Sequence, residues 1–146
     1  MRISNKGIYA LRAMFDLAQQ VGKGPIQSDD IATRQGIPVN YLNQLLIPLR
    51  QAGLIESVRG AQGGHLLALT PERITLCDII VAIEGPLLIG EPSREDWTPT
   101  VPEDDALVND LWSHLRGKIS LMLGGITLDD LLQRKRQQAG NVMYYI

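Results

Sequence analysis

The sequence predicts a mainly α-helical fold with a small β wing: a winged helix-turn-helix unit followed by a long dimerisation helix. Three observations support this. Residues 28–69 read as a helix, a tight turn, a second helix and two short strands around a glycine-rich tip, Arg59-Gly60-Ala61-Gln62-Gly63-Gly64. Leu42, Leu45, Leu46 and Leu49 lay one apolar stripe along the second of those helices. Residues 103–123 carry a broader apolar face that one small domain has little surface to cover. The expected organisation is a winged helix-turn-helix domain at 1–84, a linker loop at 85–102, and a dimerisation helix, final helix and C-terminal tail at 103–146.

A first helix is expected over 7–21, beginning at Gly7 or Asn5. Ile8, Leu11, Met14, Phe15 and Ala18 fall at helical spacing and should roof the helix-turn-helix. Arg2, Lys6 and Arg12 lie near its start, and Arg2 and Lys6 are candidate phosphate contacts. Gly22-Lys23-Gly24-Pro25 ends it. Ser28 should cap a short helix over 29–35, with Asp29 and Asp30 at its positive end. Gly36-Ile37-Pro38 is the turn, and Pro38 stands where a missing N–H does little harm.

The second helix runs over 39–51. Its stripe must face inward, which leaves Asn40, Tyr41, Asn43 and Gln44 near its N-terminus, the end that enters a major groove in this kind of fold. Amides donate and accept, so they suit base edges and adenine above all. Outside this arrangement they would be ordinary surface residues. Tyr41 either stacks on a sugar-phosphate or packs beside the first helix. Pro48 removes the bond to the Gln44 carbonyl and should bend the helix. Arg50 either pairs with an acid or touches phosphate, and Gly53 supplies a left-handed stop.

Strands are expected over 55–58 and 65–69. Arg59 and Gln62 project from the tip between them, and an arginine there suits a narrow minor groove. The tip has neither the spacing nor the Lys-Ser/Thr pair of a nucleotide-binding loop. His65 has a structural or phosphate-side role. Only His114 could join it, so no histidine cluster for a metal exists. The candidate DNA-binding set is thus Arg2, Lys6, Ser28, Asn40, Tyr41, Asn43, Gln44, Arg50, Arg59, Gln62 and His65.

Thr75 should cap a helix over 76–83, ended by Glu84-Gly85-Pro86. Pro92, Pro99 and Pro102 argue against regular structure over 87–102, where Trp97 would pin the loop to the body. The long helix follows, acidic in its first turn. Its candidate dimerisation face is Leu107, Leu111, Trp112, Leu115, Ile119 and Met122. Thr127 should cap a last helix reaching about residue 138. The segment Asn141-Val142-Met143-Tyr144-Tyr145-Ile146 is then an apolar, aromatic tail expected to dock.

The net charge of −2 hides a division. Residues 1–74 carry a net of +3 and residues 75–146 a net of −5. A mildly basic reading unit needs two copies on one duplex to gain affinity. No apolar run is long enough for a membrane span, and the N-terminus has no signal-peptide pattern. Cys77 is the sole cysteine, which excludes an internal disulfide and a cysteine-rich metal site and makes the cytoplasm the default location. No nucleophile–base–acid set can be placed, so an enzyme is not expected.

Several stretches together resemble the IscR/NsrR/CymR family of winged-helix transcriptional regulators. They are Met1-Arg2-Ile3-Ser4 with Lys6-Gly7 and Tyr9-Ala10-Leu11; Tyr41-Leu42, Gln44-Leu45-Leu46 and Pro48-Leu49-Arg50; Ala52-Gly53-Leu54; and the tip 59–64. Ile74-Thr75, Ile79-Ile80, Glu84-Gly85-Pro86, Thr127-Leu128 and Asp130-Leu131 continue the match. The resemblance implies a homodimer, joined through the long helices, that binds partly palindromic double-stranded DNA, usually as a repressor. It also accounts for Pro48. Many members hold an iron–sulfur cluster through three cysteines in the loop matching 87–102. This loop has none, and Ile8 stands where some members place a carboxylate. No cofactor is therefore expected, and the chain is similar to the clusterless branch that contains the cysteine-metabolism repressor.

That repressor works with cysteine synthase, which also receives serine acetyltransferase tails ending in isoleucine. Tyr144, Tyr145 and Ile146 are thus a candidate partner tail, a free carboxylate and apolar side chain for a pocket. The alternative reading of the whole chain is a protein-interaction regulator acting mainly through such an enzyme. The tip arginine and the helix amides argue against it, because a pure scaffold does not need them.

Overall fold

A computed structural model describes residues 3–87 and 101–144, with side chains described to residue 141. Its elements are α1 (Asn5–Gln19), α2 (Ser28–Gln35), α3 (Val39–Gln51), β1 (Ile55–Val58), β2 (Gly64–Leu67), a one-turn 3-10 helix (Pro71–Arg73), α4 (Leu76–Glu84), α5 (Pro102–Gly124) and α6 (Leu128–Tyr144). Among the described residues no helix is long and apolar enough to cross a membrane.

α1 is the hub, packed against α2, α3, α4, α6 and β2. Its inward face is Gly7, Ala10, Ala13, Met14, Leu17 and Ala18. Small residues on that face let the neighbouring helices close in around Met14. Ile31, Leu42, Leu46, Leu49, Ile55, Ile74, Ile79 and Leu128 complete one core. Ile8 does not belong to it: it is 45% exposed. The buried face begins at Gly7, and the next residue is turned about 100° away from it, as the helical period requires.

Gly7 is needed for a close approach. A Cβ there would lie 2.8 Å from the Ile3 side chain and 3.0 Å from Glu84 Oε1. The Glu84 carboxylate accepts from the Ser4 N–H at 3.0 Å and from the Ser4 hydroxyl. The Ser4 hydroxyl bond is the main reason that Glu84 titrates below its ordinary range. The contact ties the start of α1 to the end of α4.

α1 also carries the buried charge of the core. Asp16, 2% exposed at its side chain, takes Arg34 Nε on Oδ1 and Arg34 Nη2 on Oδ2, both at 2.9 Å. Gln35 Nε2 donates to Oδ1 at 3.2 Å. The bidentate fork locks α2 onto α1, and the bond to Asp16 raises the Arg34 pKa.

Two reciprocal caps start α4 and α6 side by side. Asp78 N–H donates to Thr75 Oγ1 at 3.1 Å while Thr75 N–H donates to Asp78 Oδ2 at 2.9 Å. Asp130 and Thr127 repeat this, Asp130 N–H donating to Thr127 Oγ1 at 3.1 Å and Thr127 N–H to Asp130 Oδ2 at 2.8 Å. The residues just ahead pair across, Leu76 N–H to Ile126 O at 2.8 Å and Leu128 N–H to Ile74 O at 3.0 Å. A repeated Thr-Leu-x-Asp pattern thus seeds both helices, and α6 packs back onto α1 and the 3-10 helix.

The remaining differences from expectation lie at element ends. α1 covers Asn5–Gln19 rather than 7–21, and β2 covers Gly64–Leu67 rather than 65–69. Ser28 is the first helical residue behind Gln27, and its hydroxyl makes no capping bond because the His65 ring engages it. α6 continues to Tyr144 instead of stopping near 138, so the first part of the expected tail is helix. Nothing between Gln138 and Tyr144 breaks it, since a lone Gly140 costs only about 1 kcal/mol. Tyr145 and Ile146, like Arg2 and Trp97, lie outside the described residues.

α5 is attached through α4. Leu123 is its buried residue, and Trp112, Leu115 and Ile119 are half-buried. Leu107 is 71% exposed, Leu111 55% and Met122 61%. The expected dimerisation face is therefore open along much of the helix in a single chain.

Candidate nucleic-acid interface

α3 holds its candidate reading residues by the fit of its opposite side. Leu42, Leu45, Leu46 and Leu49 are buried, and Asn40, Asn43 and Gln44 are exposed in the first two turns. Pro48 sits inside the helix, which continues to Gln51 and is stopped by Gly53 at φ +74°. Tyr41 takes the packing role: its ring meets Tyr9 of α1 edge-on, with centroids 5.6 Å apart, and is half-buried. Arg12 lies 5.7 Å over the far partner, Tyr9. Ile47 is also exposed, a residue that sequence reading left without a role.

The wing is an antiparallel pair with Ser57 opposite His65 and Val58 opposite Gly64. Arg59 and Gln62 are exposed at its tip. Gly63 N–H closes the tip on Gly60 O at 3.0 Å. A Cβ on Gly63 would lie 2.1 Å from Val58 O, so no other residue fits this turn unchanged. A Cβ on Gly64, at φ +152°, would lie 2.5 Å from the backbone of Ile26. Gly63→Ala is expected to open the tip while the helical core stays folded. DNA affinity should then fall as far as in Arg59→Ala, with the thermal transition little changed; full affinity in Gly63→Ala would show that tip geometry does not matter.

The wing is fastened to the helix-turn-helix at several points. Ile26 and His65 exchange backbone bonds of 3.0 and 2.8 Å. Gln27 Nε2 donates to Ala61 O at 3.4 Å. The His65 ring lies between two hydroxyls, Ser28 Oγ at 2.9 Å from Nε2 and Ser57 Oγ at 3.0 Å from Nδ1. Arg50 Nη1 donates to Ser57 Oγ at 3.3 Å. Among the described residues Arg50 pairs with no acid, and its bond to Ser57 braces α3 against β1. Desolvation, and then the Arg50 charge, hold His65 below the ordinary histidine range.

Of the residues expected to meet DNA, the structure thus brings together Ser28, Arg50 and His65 in one network. Asn40, Asn43 and Gln44 share an exposed helix end, and Arg59 and Gln62 share the tip. Lys6 is exposed in the first turn of α1, where its charge acts on Glu84. Sequence reading missed Asp16, although a lone acid on the apolar face of a helix was its signal, and missed the Ser4–Glu84 tie, which has no local signal.

The chain matches the Rrf2 family model, described as an iron-dependent transcriptional regulator, over residues 3–134. It is 36% identical over 146 residues to the HTH-type transcriptional regulator CymR of Bacillus subtilis, covering 100% of both chains. It is 38% identical over 136 residues to IscR of Aliivibrio salmonicida, covering 90% of this chain and 77% of that one. The solved structure of CymR, the global cysteine regulator of B. subtilis, superposes with a TM-score of 0.75 at 38% identity over 92% of this chain and 98% of that one. T. potens IscR gives 0.70 at 39% identity over 92% and 88%.

The iron named in the family description does not suit this chain's donor set. A thiolate-held cluster needs several cysteines. Here Cys77 is alone and half-buried on α4, His65 is engaged by two serines, and residues 88–100 contain no cysteine or histidine. Among the described residues no group of three or more potential ligands converges. The chain belongs to the Rrf2 family, in its clusterless branch similar to CymR, and is a homodimeric, DNA-binding winged-helix transcriptional regulator rather than an enzyme.

Proposed function

We propose that the protein is a repressor that reads a partly palindromic operator with two copies of the same surface. Asn40, Asn43 and Gln44 contact base edges in the major groove. Arg59 and Gln62 enter the flanking minor groove, and Arg2 and Lys6 approach phosphates. Residues 1–84 form the reading unit, 85–102 the linker, and 103–146 the dimerising part, joined through Leu107, Leu111, Trp112, Leu115, Ile119 and Met122. The observation that carries this reading is the exposed amide cluster at the start of α3, on a helix braced to the wing by Arg50 and Ser57.

Selection of bound duplexes from a random pool by the purified dimer tests it. A palindrome with half-sites about one helical turn apart, or a multiple of that, is expected. On the recovered duplex, Arg59→Ala should weaken binding to all sequences and lower the salt slope by about 1. Gln44→Ala should instead relax preference at one base position in each half-site. If neither substitution changes binding, the reading surface is elsewhere.

A partner enzyme extends the same reading. CymR of B. subtilis is described as a global cysteine regulator, and we infer that Tyr144, Tyr145 and Ile146 contact cysteine synthase here. Deleting Tyr145 and Ile146 should abolish that binding; unchanged affinity removes the idea.

A further inference from the structure

We propose that His65 is a positioning residue for DNA contact: its ring is the middle link of a hydrogen-bond chain, Arg50 to Ser57 to His65 to Ser28, that fixes the wing against α3 and leaves the Ser28 hydroxyl proton free for a DNA phosphate. The inference rests on the DNA reading above and adds to it a coupling between the wing and the start of α2.

The first member of the chain favours one direction. A guanidinium only donates, so Ser57 Oγ accepts from Arg50 Nη1 at 3.3 Å. With its oxygen turned toward that cation, the Ser57 O–H points away from it. The acceptor on the other side is His65 Nδ1, 3.0 Å distant. The ring proton then sits on Nε2, which donates to Ser28 Oγ at 2.9 Å. Ser28 is left as an acceptor whose own proton is unused, and no other bond to its hydroxyl is made among the described residues. The opposite tautomer would place two donors on Ser57 and consume the Ser28 proton. Burial and the nearby Arg50 charge also disfavour a second ring proton, which keeps the link one-directional.

The ring belongs to a residue whose backbone already joins β2 to Ile26, just ahead of α2. A single side chain therefore touches β1 and the start of α2, and through Ser57 the late part of α3. Losing it would free the wing to pivot on its backbone bonds, and would leave the Ser28 hydroxyl without a fixed direction.

The test uses the full-length dimer and the duplex recovered by selection. Affinity is measured for wild type, His65→Phe, His65→Gln, Ser28→Ala and the double variant Ser28→Ala/His65→Phe, with a thermal melt for each. His65→Phe and Ser28→Ala are each expected to weaken binding about tenfold, the size of one hydrogen bond to a charged group. The double variant should bind no worse than about the weaker single, because both remove one chain. His65→Gln should keep most of the affinity, since its amide oxygen accepts from Ser57 and its nitrogen donates to Ser28. Nitrogen-15 spectra of the free protein should show the Nε2–H tautomer.

A Phe variant that binds like wild type, a Gln variant as weak as Phe, additive losses in the double variant, or the Nδ1–H tautomer would each overturn the inference while the DNA reading stands. If His65→Phe fails to fold, Ser28→Ala, His65→Gln and the tautomer still decide. A wild type with no preference for any duplex would overturn the DNA reading, and the inference with it.

Discussion

Leu111→Glu is expected to give a folded monomer whose operator affinity is lower by about two orders of magnitude, the gain normally supplied by linking two binding modules. Leu111 is 55% exposed on α5, so the substitution removes little from the chain's own core. In a dimer it would bury a carboxylate against apolar side chains, at a cost of several kcal/mol. α5 presents Leu107 and Met122 in the same open state, and its anchorage to the body is through α4. Sedimentation gives the mass, and fluorescence anisotropy with the selected duplex gives the affinity. A Leu111→Glu protein that stays dimeric and binds fully would show that α5 is not the dimer face.

Arg34→Leu is expected to destabilise the chain by about 3 kcal/mol, the low end for breaking a buried ion pair. The low end applies because the Arg34 side chain is 40% exposed while that of Asp16 is 2% exposed. The substitution strands the Asp16 carboxylate with Gln35 as its remaining donor. Combining it with Asp16→Leu should recover most of the loss, because two apolar residues need no compensation there. Urea unfolding of the two variants checks both statements. An Arg34→Leu variant as stable as wild type would mean that the pair does not fasten α2 to α1.

The fold was legible where a local rule governed. Four leucines at helical spacing gave α3 its limits at Val39 and Gln51, with Gly53 as the stop. Thr75 and Thr127, each with an acid three residues on, marked the starts of α4 and α6. What escaped depended on distant partners. Ile8 has the right spacing for the core, but the inward face of α1 is set by where α4 and Glu84 press on Gly7. Ser28 has the identity of a cap, but a histidine 37 residues away takes its hydroxyl. Asp16 finds its arginine 18 residues on.

The candidate site divides in the same way. Asn40, Asn43, Gln44, Arg59 and Gln62 could be named because exposure follows from the opposite apolar face and from the turn. The roles of Tyr41 and Arg50 could not, since each had two open choices. Tyr9 shows the packing choice for Tyr41, and Arg50 has a contact that was neither of its choices, the Ser57 hydroxyl.

The most direct test of the central claim places a DNA-cleaving reagent on the protein itself. Cys77→Ser leaves no native thiol, and Gln62→Cys or Asn43→Cys then gives one attachment point. On the selected duplex, the reagent at position 62 should cut in the minor groove at both outer flanks of the palindrome. From position 43 it should cut in the major groove at the centre of each half-site. Cuts at one half-site only, or the same cutting pattern from both positions, would contradict the claim that paired helices and wings grip one duplex.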